Sequence, residues 1–389
     1  MRNDNEKEIN ENSFINIIKV NKNESIKNIK RFKNSEILMK YIIFFIFLFL
    51  LVLLNLICLN INVRNMNLNL KEIINGYILR EHYTNNDDYN ILDEYKKAQN
   101  DFCDYPDKYI NKEYEKEIIL SNVKFNSINT KMFLPKSNNR VIFWIEKDGV
   151  YEGQMTNSIL EALKFYSYKK NIRNNKDIIM LDIGGNVGWY PSILGRYNYT
   201  IISFEPVEKN NYISKKNYCY LNKNSNVYIV TKGLGIDNQI CNYFNQNNNT
   251  INGMSVCQKK NILNDNKLNQ QFTKIGEVEI TTLNSFIPFL SKKNVALIKI
   301  DVEGNEFRII EGGKELITKY HVPFVVLEFT PNYLKELDSD PEKLIQFFIN
   351  NGYKISINGF LSKNYITKQK LFKIVGNQIN CYFIHSSIL

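Results

Sequence analysis

The sequence predicts an α/β domain built on a doubly wound, mostly parallel sheet, preceded by one transmembrane helix. Short apolar runs carry the sheet: IIML from Ile178, TIISF from Thr200, NVYIV from Asn226, VALIKI from Val295 and PFVVLEF from Pro323. They alternate with stretches of helical spacing, the rhythm of βαβ units whose strands are buried on both faces. Four of the runs end at or near an acid, namely Asp182, Glu205, Asp301 and Glu328. Open α/β sheets bind ligands beyond the carboxyl ends of their strands, so these acids mark one functional edge. The third observation is YIIFFIFLFLLVLLNLICLNI at 41–61, which carries no charge. About 20 such residues cross a hydrocarbon core of roughly 30 Å.

The elements follow in chain order. Residues 1–40 read as a polar, basic tail. Lys27, Lys30, Arg31, Lys33 and Lys40 precede the apolar run, whereas Arg64 and Lys71 follow it. That bias predicts a single-pass signal-anchor protein, with a cytosolic N-terminus and a lumenal remainder in the Golgi or endoplasmic reticulum. Residues 62–139 are expected as a stalk and N-terminal extension, and 140–389 as the domain. RVIFWI from Arg140 reads as a strand, and 156–170 as a helix capped by Thr156. Helices are expected at 188–196 and 210–220, and 242–271 as an Asn-rich insertion, a loop or broken hairpin. Thr282 is placed to cap a short helix, and EFRIIEGGKELI and 341–350 are helical. YKISIN reads as a strand, with LFKIVG and NCYFIHS as edge strands. Beyond Cys58 remain Cys103, Cys219, Cys241, Cys257 and Cys381. Their number is odd, so at least one is free or pairs between chains. Asn198 and Asn248 open glycosylation sequons; the first adjoins a core strand, the second sits in a polar loop.

Composition narrows the functional classes. The net charge is +10, but Lys is scattered without a basic stripe interleaved with aromatics, which argues against nucleic acid. Three histidines and the absence of a Cys-x-x-Cys pair argue against zinc.

The stretch LDIGGNVGW, 181–189, joins strand to helix through glycines. No Lys-Ser or Lys-Thr follows, which excludes a P-loop. Gly184, Gly185 and Gly188 break the G-x-G-x-x-G spacing of a dinucleotide site. Asp182, just ahead of the glycines, would repel a pyrophosphate but suits a cationic sulfonium and ammonium group. Glu205, at the end of the next strand, is placed to accept hydrogen bonds from ribose hydroxyls. The combination favours S-adenosyl-L-methionine over a dinucleotide.

LDIGGNVGWY, SFEPVEKN, LIKIDVEGNEFRIIEGG and VVLEF resemble the blocks of FkbM-type S-adenosylmethionine-dependent methyltransferases, as do the lead-in GVYEGQMTNSIL and the segment TTLNSF. The resemblance covers 149–329 and implies a sheet of class I methyltransferase type and O-methylation of a hydroxyl on a sugar or other small metabolite. It implies that Asp182, Gly184, Gly185, Asn186 and Gly188 line the methionine side of the cofactor. Glu205 would take the ribose, and the turn around Gly233 would approach the adenine. Asp301, Glu303 and Glu306 would lie beside a small-molecule or glycan acceptor. Gly185 departs from the family, which commonly has alanine there. Asp301 is the first choice for general base, with Glu303 and Glu328 as alternatives. Asp301 and Glu303, with Asp182 or Glu328, also allow a Mg²⁺ reading; one base plus one hydrogen-bonding acid, without metal, is preferred. His321 sits at the wrong end of its strand. Two rival classes are a membrane-anchored glycosyltransferase, to which Asp338-Ser339-Asp340 would lend a D-x-D triplet, and a non-catalytic interaction protein. The triplet precedes a helix, where acids serve as caps.

Overall fold

The computed structural model describes residues 91–136, 140–223, 225–246, 253–257 and 272–389. It begins with α1 (Ile91–Asp104), then the antiparallel hairpin β1 (Ile118–Phe125) and β2 (Ile128–Pro135), then α2 (Arg140–Asp148) and α3 (Gly153–Lys169). The main sheet starts with β3 (Ile178–Ile183), α4 (Trp189–Leu194), β4 (Thr200–Phe204), α5 (Glu208–Asn217) and β5 (Val227–Val230). A small second sheet follows: β6 (Gly233–Gly235), β7 (Gln239–Gln246), β8 (Gly253–Val256) and β9 (Phe272–Thr282). The chain returns through β10 (Asn294–Ile300), α6 (Glu306–Gly312), β11 (Phe324–Phe329), α7 (Pro341–Asn350), β12 (Tyr353–Ser356) and β13 (Ile379–His385).

The seven main strands run in the order β12-β13-β11-β10-β3-β4-β5, and only β13 is antiparallel to its neighbours. Strand order reverses between β3 and β10, the switch point at which doubly wound sheets open a ligand crevice. All six residues of β3 are buried, which is why it reads as an apolar run rather than an alternation. The period of two then sorts side chains between the two cores. Met180, Leu297, Val326 and Tyr382 pack on one face with Ile159 and Leu163 of α3. Leu181, Ile298, Leu327 and Cys381 pack on the other with Ile309 and Phe348. Asp182, Lys299, Asp301 and Glu328 share the parity of the first set, so they gather on the face that α3 covers.

The segment expected as a stalk is, over its described part, knitted onto the sheet. Gln99 of α1 is fully buried against the outer edge of β5. Its Nε2 donates to the Val227 carbonyl at 2.8 Å and its Oε1 accepts the Ile229 N–H at 3.0 Å. Lys96 adds a bond to the Val227 carbonyl at 2.9 Å. A sheet edge that would template further pairing is thereby closed by side chains. Asn217 of α5 clips the hairpin by accepting from Phe133 N at 2.7 Å and donating to its carbonyl at 2.9 Å. A Cys103–Cys219 disulfide joins α1 to the turn after α5, and Cys241–Cys257 closes the β7–β8 hairpin. Cys381 is the free thiol among the described residues, one of the two outcomes the odd count allows.

Several expectations are corrected. The membrane-spanning helix expected at 41–61 lies outside the described residues, and among those no helix is long and apolar enough to cross a membrane. The described fold has no transmembrane helix, and nothing in it supports the membrane partner, signal-anchor topology or lumenal placement. RVIFWI forms helix α2, not a strand: Ile142 and Ile145 face the core while Phe143 and Trp144 are exposed, a helical period hidden in a continuous apolar run. LFKIVG is largely helix Lys368–Ile374, capped by Thr367. NCYFIHS lies inside the sheet between β12 and β11. The described part of the 242–271 insertion is the β7–β8 hairpin with its partner β9. Asn198 is exposed, and Asn248 lies outside the described residues.

Replacing Gln99 with Leu keeps the bulk but strands the Ile229 N–H beneath α1. Chemical denaturation should show a loss of roughly 1–3 kcal/mol, the cost of an unsatisfied buried group. An unchanged midpoint would mean that the edge of β5 is satisfied otherwise.

Candidate active site

The turn after β3 is built by close packing. Gly184 has φ +81°, and a Cβ there would lie 1.8 Å from the Asp301 carbonyl oxygen, so β3 and β10 meet through a position only glycine fits. The N–H groups of Gly184 and Gly185 both donate to the Phe204 carbonyl at 3.0 Å, which anchors the turn to β4. Asn186 and Gly188 continue in left-handed conformations, with φ +49° and +83°, and Gly188 opens α4. At Gly185 a Cβ would meet Ser203 Oγ at 2.0 Å. That hydroxyl donates to Asp182 Oδ2 at 2.9 Å. The space that a side chain at 185 would take is thus occupied by a serine from the neighbouring strand.

Lys299 was not anticipated as a site residue. Its side chain is 4% exposed. The ammonium lies 3.2 Å from Asp301 Oδ2 and 3.7 Å from Asp182 Oδ1, and donates to the Gly184 carbonyl at 3.0 Å. Burial alone would favour loss of its proton, but Asp301, Asp182 and Glu152 outweigh that and hold it charged. Burial raises the Asp182 carboxyl, opposed by Lys299 and the Ser203 hydroxyl. One signal was available in sequence: Lys299 is the charged residue inside an otherwise apolar strand run, two positions before Asp301.

Glu205 stands at the end of β4, where its Oε2 accepts the Asn186 N–H at 2.9 Å and its Oε1 the Val207 N–H at 2.9 Å. Burial pushes its carboxyl up to about 7 despite these bonds. Asn186 Oδ1 is buried without a hydrogen-bond partner, and Asp182 Oδ1 has only the Lys299 ammonium, at 3.7 Å. Such under-satisfied acceptors beside a glycine turn fit a ligand that brings N–H or O–H donors, such as an ammonium or ribose hydroxyls. Gly233 lies in β6, where a Cβ would meet the terminal Cδ1 of Ile280, its partner on the neighbouring strand β9, at 2.5 Å.

Asp301, Glu303 and Glu328 converge, with one carboxylate oxygen of each within 4.8 Å of the others. That is close enough for a hydroxyl group or a cation to be held between them. Burial, followed by Asp301 and Glu303, pushes the Glu328 carboxyl up to about 10, so at neutral pH it holds its proton and accepts a bond from Gln378. Glu306 does not face this cleft. It is 1% exposed, and its Oε1 accepts the Gly304 N–H at 3.1 Å. It holds the turn that presents Asp301 and Glu303, and burial pushes its carboxyl up to about 7. Glu152, also unanticipated, enters from the N-terminus of α3. Its Oε2 accepts the Tyr190 hydroxyl at 2.7 Å, and burial, followed by Asp301, pushes it up to about 7. Nothing in its local sequence signals this, because the residues it joins lie far along the chain. Asp340 caps α7 through the Glu342 and Lys343 N–H groups, at 2.8 and 3.2 Å. His321 is exposed at the opposite end of β11 and stacks on His385.

Comparison with known proteins places a methyltransferase FkbM domain at residues 182–355. Among solved structures, the bifunctional kinase-methyltransferase WbdD overlays with a TM-score of 0.36 at 12% identity, over 62% of this chain and 41% of its own. Magnesium protoporphyrin IX methyltransferase (ChlM) from Synechocystis PCC 6803, solved with bound SAM, gives 0.31 at 11% over 77% and 100%. Precorrin-6y C5,15-methyltransferase from Geobacter metallireducens GS-15 gives 0.27 at 12% over 58% and 89%. The chain thus spans about two fifths of the length of WbdD. No curated protein matches. At these identities and TM-scores, the domain match alone carries the assignment.

Two measurements probe this packing. Gly185→Ala should displace Ser203 from Asp182 and lower stability by roughly 1–3 kcal/mol, the usual cost of overpacking. Ser203→Ala in the same chain should recover most of the loss, and equal melting of the single and double variants would disprove the contact. Glu306 binds its proton more tightly folded than unfolded, so wild-type stability drains as pH rises from about 4.5 to about 7. Glu306→Gln removes that drain. Its stability relative to wild type should therefore improve by roughly 1–3 kcal/mol between pH 5 and 8, and a pH-independent difference would refute the raised carboxyl.

Proposed function

We propose, from the premise that this chain is an S-adenosylmethionine-dependent methyltransferase with an FkbM-type domain, that it methylates a hydroxyl oxygen of a sugar or other small metabolite. The observation that carries the reading is Asp301, half-buried at the carboxyl end of β10 and facing the carboxyl cluster, with the donor-side turn directly behind it. Asp182, Gly184, Gly185, Asn186 and Gly188 would hold the methionine portion of the cofactor and Glu205 its ribose. Gly233 would shape the wall near the adenine. S-adenosylmethionine, when bound, supplies an electrophilic methyl carbon.

The chain's own residues supply position and charge, where most of the acceleration of such a displacement originates. Hydroxyls are weak nucleophiles, so a base must take the proton as the oxygen attacks. Lys299 engages one oxygen of the Asp301 carboxylate, which leaves the other for that proton. Glu303 lies within reach as a second acceptor, whereas Glu328, protonated at neutral pH, donates a hydrogen bond instead. No metal is invoked, because Lys299 already supplies the positive charge beside Asp301. The glycosyltransferase alternative loses its motif, since Asp340 is spent on capping α7.

Asp301→Asn tests the reading directly. In a labelled-methyl assay against small hydroxylated acceptors, turnover should fall by roughly 10²–10⁴-fold, the usual contribution of a general base. S-adenosylhomocysteine affinity should stay within a few-fold, because Asp182 and the Gly184 carbonyl still hold Lys299. Unchanged turnover would move the role to Glu303. Parallel loss of S-adenosylhomocysteine binding would place Asp301 with the cofactor.

A further inference from the structure

The second sheet is tied to the turns after two strands of the main sheet. In the β7–β8 hairpin Tyr243 stands opposite Ser255, and Asn245 opposite Gly253, in line with the Cys241–Cys257 disulfide. The strand period of two puts these residues on one face. Tyr243 packs there with Cys241, Val278 and Ile280, and Val207 joins the cluster. Val207 lies just beyond β4, and its N–H is held by Glu205. Asn305 Nδ2, in the turn after β10 that carries Glu303, donates to the Ser255 carbonyl at 3.0 Å and to its Oγ at 3.4 Å. In the main sheet β3 lies between β4 and β10. The face that bears Tyr243 therefore holds on to both strands that flank the glycine turn.

Tyr243 is 6% exposed, and no hydrogen bond of its hydroxyl is found among the described residues. A buried tyrosine hydroxyl ordinarily has a partner, and leaving it without one costs free energy. Phenylalanine would fill the same space without that cost, so the hydroxyl answers to something other than packing. Next to it on the same face, Asn245 Oδ1 is also buried and unpaired. The two groups converge on Gly253, where a Cβ would lie 2.7 Å from the Tyr243 hydroxyl and 2.8 Å from Asn245 Oδ1. Burial first, then the charges of Glu205 and Glu303, raise the Tyr243 hydroxyl, so it stays protonated and able to donate. A ribose suits this donor. Each ribose hydroxyl that donates to Glu205 keeps lone pairs that a carboxylate cannot serve and a phenolic O–H can.

We infer that Tyr243 is a cofactor-binding residue supplied by the second sheet, its hydroxyl donating to a ribose hydroxyl that Glu205 holds from the other side. The assignment rests on the cofactor reading above. It extends the nucleoside site to a part of the chain outside the doubly wound sheet.

Tyr243→Phe tests this in the full chain, because it removes one oxygen and keeps the ring. Calorimetric titration uses S-adenosylhomocysteine, its 2′-deoxy and 3′-deoxy analogues, and 5′-methylthioadenosine, which keeps the nucleoside without the amino-acid end. The Kd values of S-adenosylhomocysteine and methylthioadenosine should rise by the same factor, roughly 3–10-fold, the worth of one neutral hydrogen bond. For one of the two deoxy analogues the ratio between variant and wild type should fall to about one, as expected when both partners of a single contact are removed. Melting of the ligand-free protein should stay where it is, since no hydrogen bond within the chain is lost, while the rise in melting temperature on adding S-adenosylhomocysteine should shrink. Equal Kd values in the two proteins would sink the inference and leave the cofactor reading standing, as would a ligand-free variant that melts lower but binds as well. Weakening confined to S-adenosylhomocysteine would put Tyr243 at the amino-acid end, and an unchanged ratio for both deoxy analogues would remove it from the ribose; either result overturns the assignment. A wild-type chain that binds none of these ligands would overturn the cofactor reading, and the inference with it.

Discussion

The buried ammonium of Lys299 is the constraint around which the catalytic edge is arranged. It sits between β3 and β10, the two central strands, and touches Asp182, Asp301 and the carbonyl of Gly184. An ammonium taken out of water is held only if its partners are close and well placed, and removing one partner typically costs about 3–5 kcal/mol. The cost of placing Lys299 there therefore fixes the positions of the others. Asp182 cannot turn away, the Gly184 carbonyl must point inward, and Asp301 must remain at the strand end. The same contact joins the glycine turn after β3 to Asp301, the proposed base.

The neighbourhood shows how much structure this demands. Glu152, Asn186 and Glu303 adopt left-handed backbone conformations although none is glycine, and all three surround the Asp182–Lys299–Asp301 group. Such strain persists only where surrounding contacts determine it. Here the contacts are identifiable. The Asn186 N–H is held by Glu205, the turn at Glu303 by the buried Glu306 carboxyl, and Glu152 by Tyr190. Each anchor is an acid pushed up by burial or bonded to a buried hydroxyl, so the cleft is lined by carboxyl groups that differ in protonation. Burial and the neighbouring acids push Glu328 up to about 10, while Asp301 pairs with Lys299. Similar side chains thereby take different roles through environment alone.

The outer parts of the chain serve this arrangement at a distance. α1 closes the edge of β5 with Gln99, and β5 is the strand against which β4 and Glu205 are registered. The Cys241–Cys257 hairpin reaches the turn after β10 through Asn305 Nδ2, which donates to the Ser255 carbonyl at 3.0 Å. The second sheet is thereby tied to the turn that carries Glu303.

The sequence by itself determined the parallel strands of the sheet, because strands buried on both faces must be apolar throughout and therefore stand out as runs. It determined the edge at which the acids gather, because Asp182, Glu205, Asp301 and Glu328 end those runs, and it determined the turn, because Gly184 and Gly188 occupy left-handed positions that few residues tolerate. It misread α2 and the helix at Lys368–Ile374, since a short apolar stretch fits a helix and a strand equally until the face that meets the core is known. Only the tertiary structure decided which acids share the cleft. Glu306 and Glu303 are three residues apart, yet one is buried beneath the turn and the other stands in the cleft. Glu152 and Lys299 are far apart in sequence and come together because α3 crosses the face on which the parity of β10 places the lysine. Burial and proximity set the charge of each group, and both arise between segments that no local pattern connects.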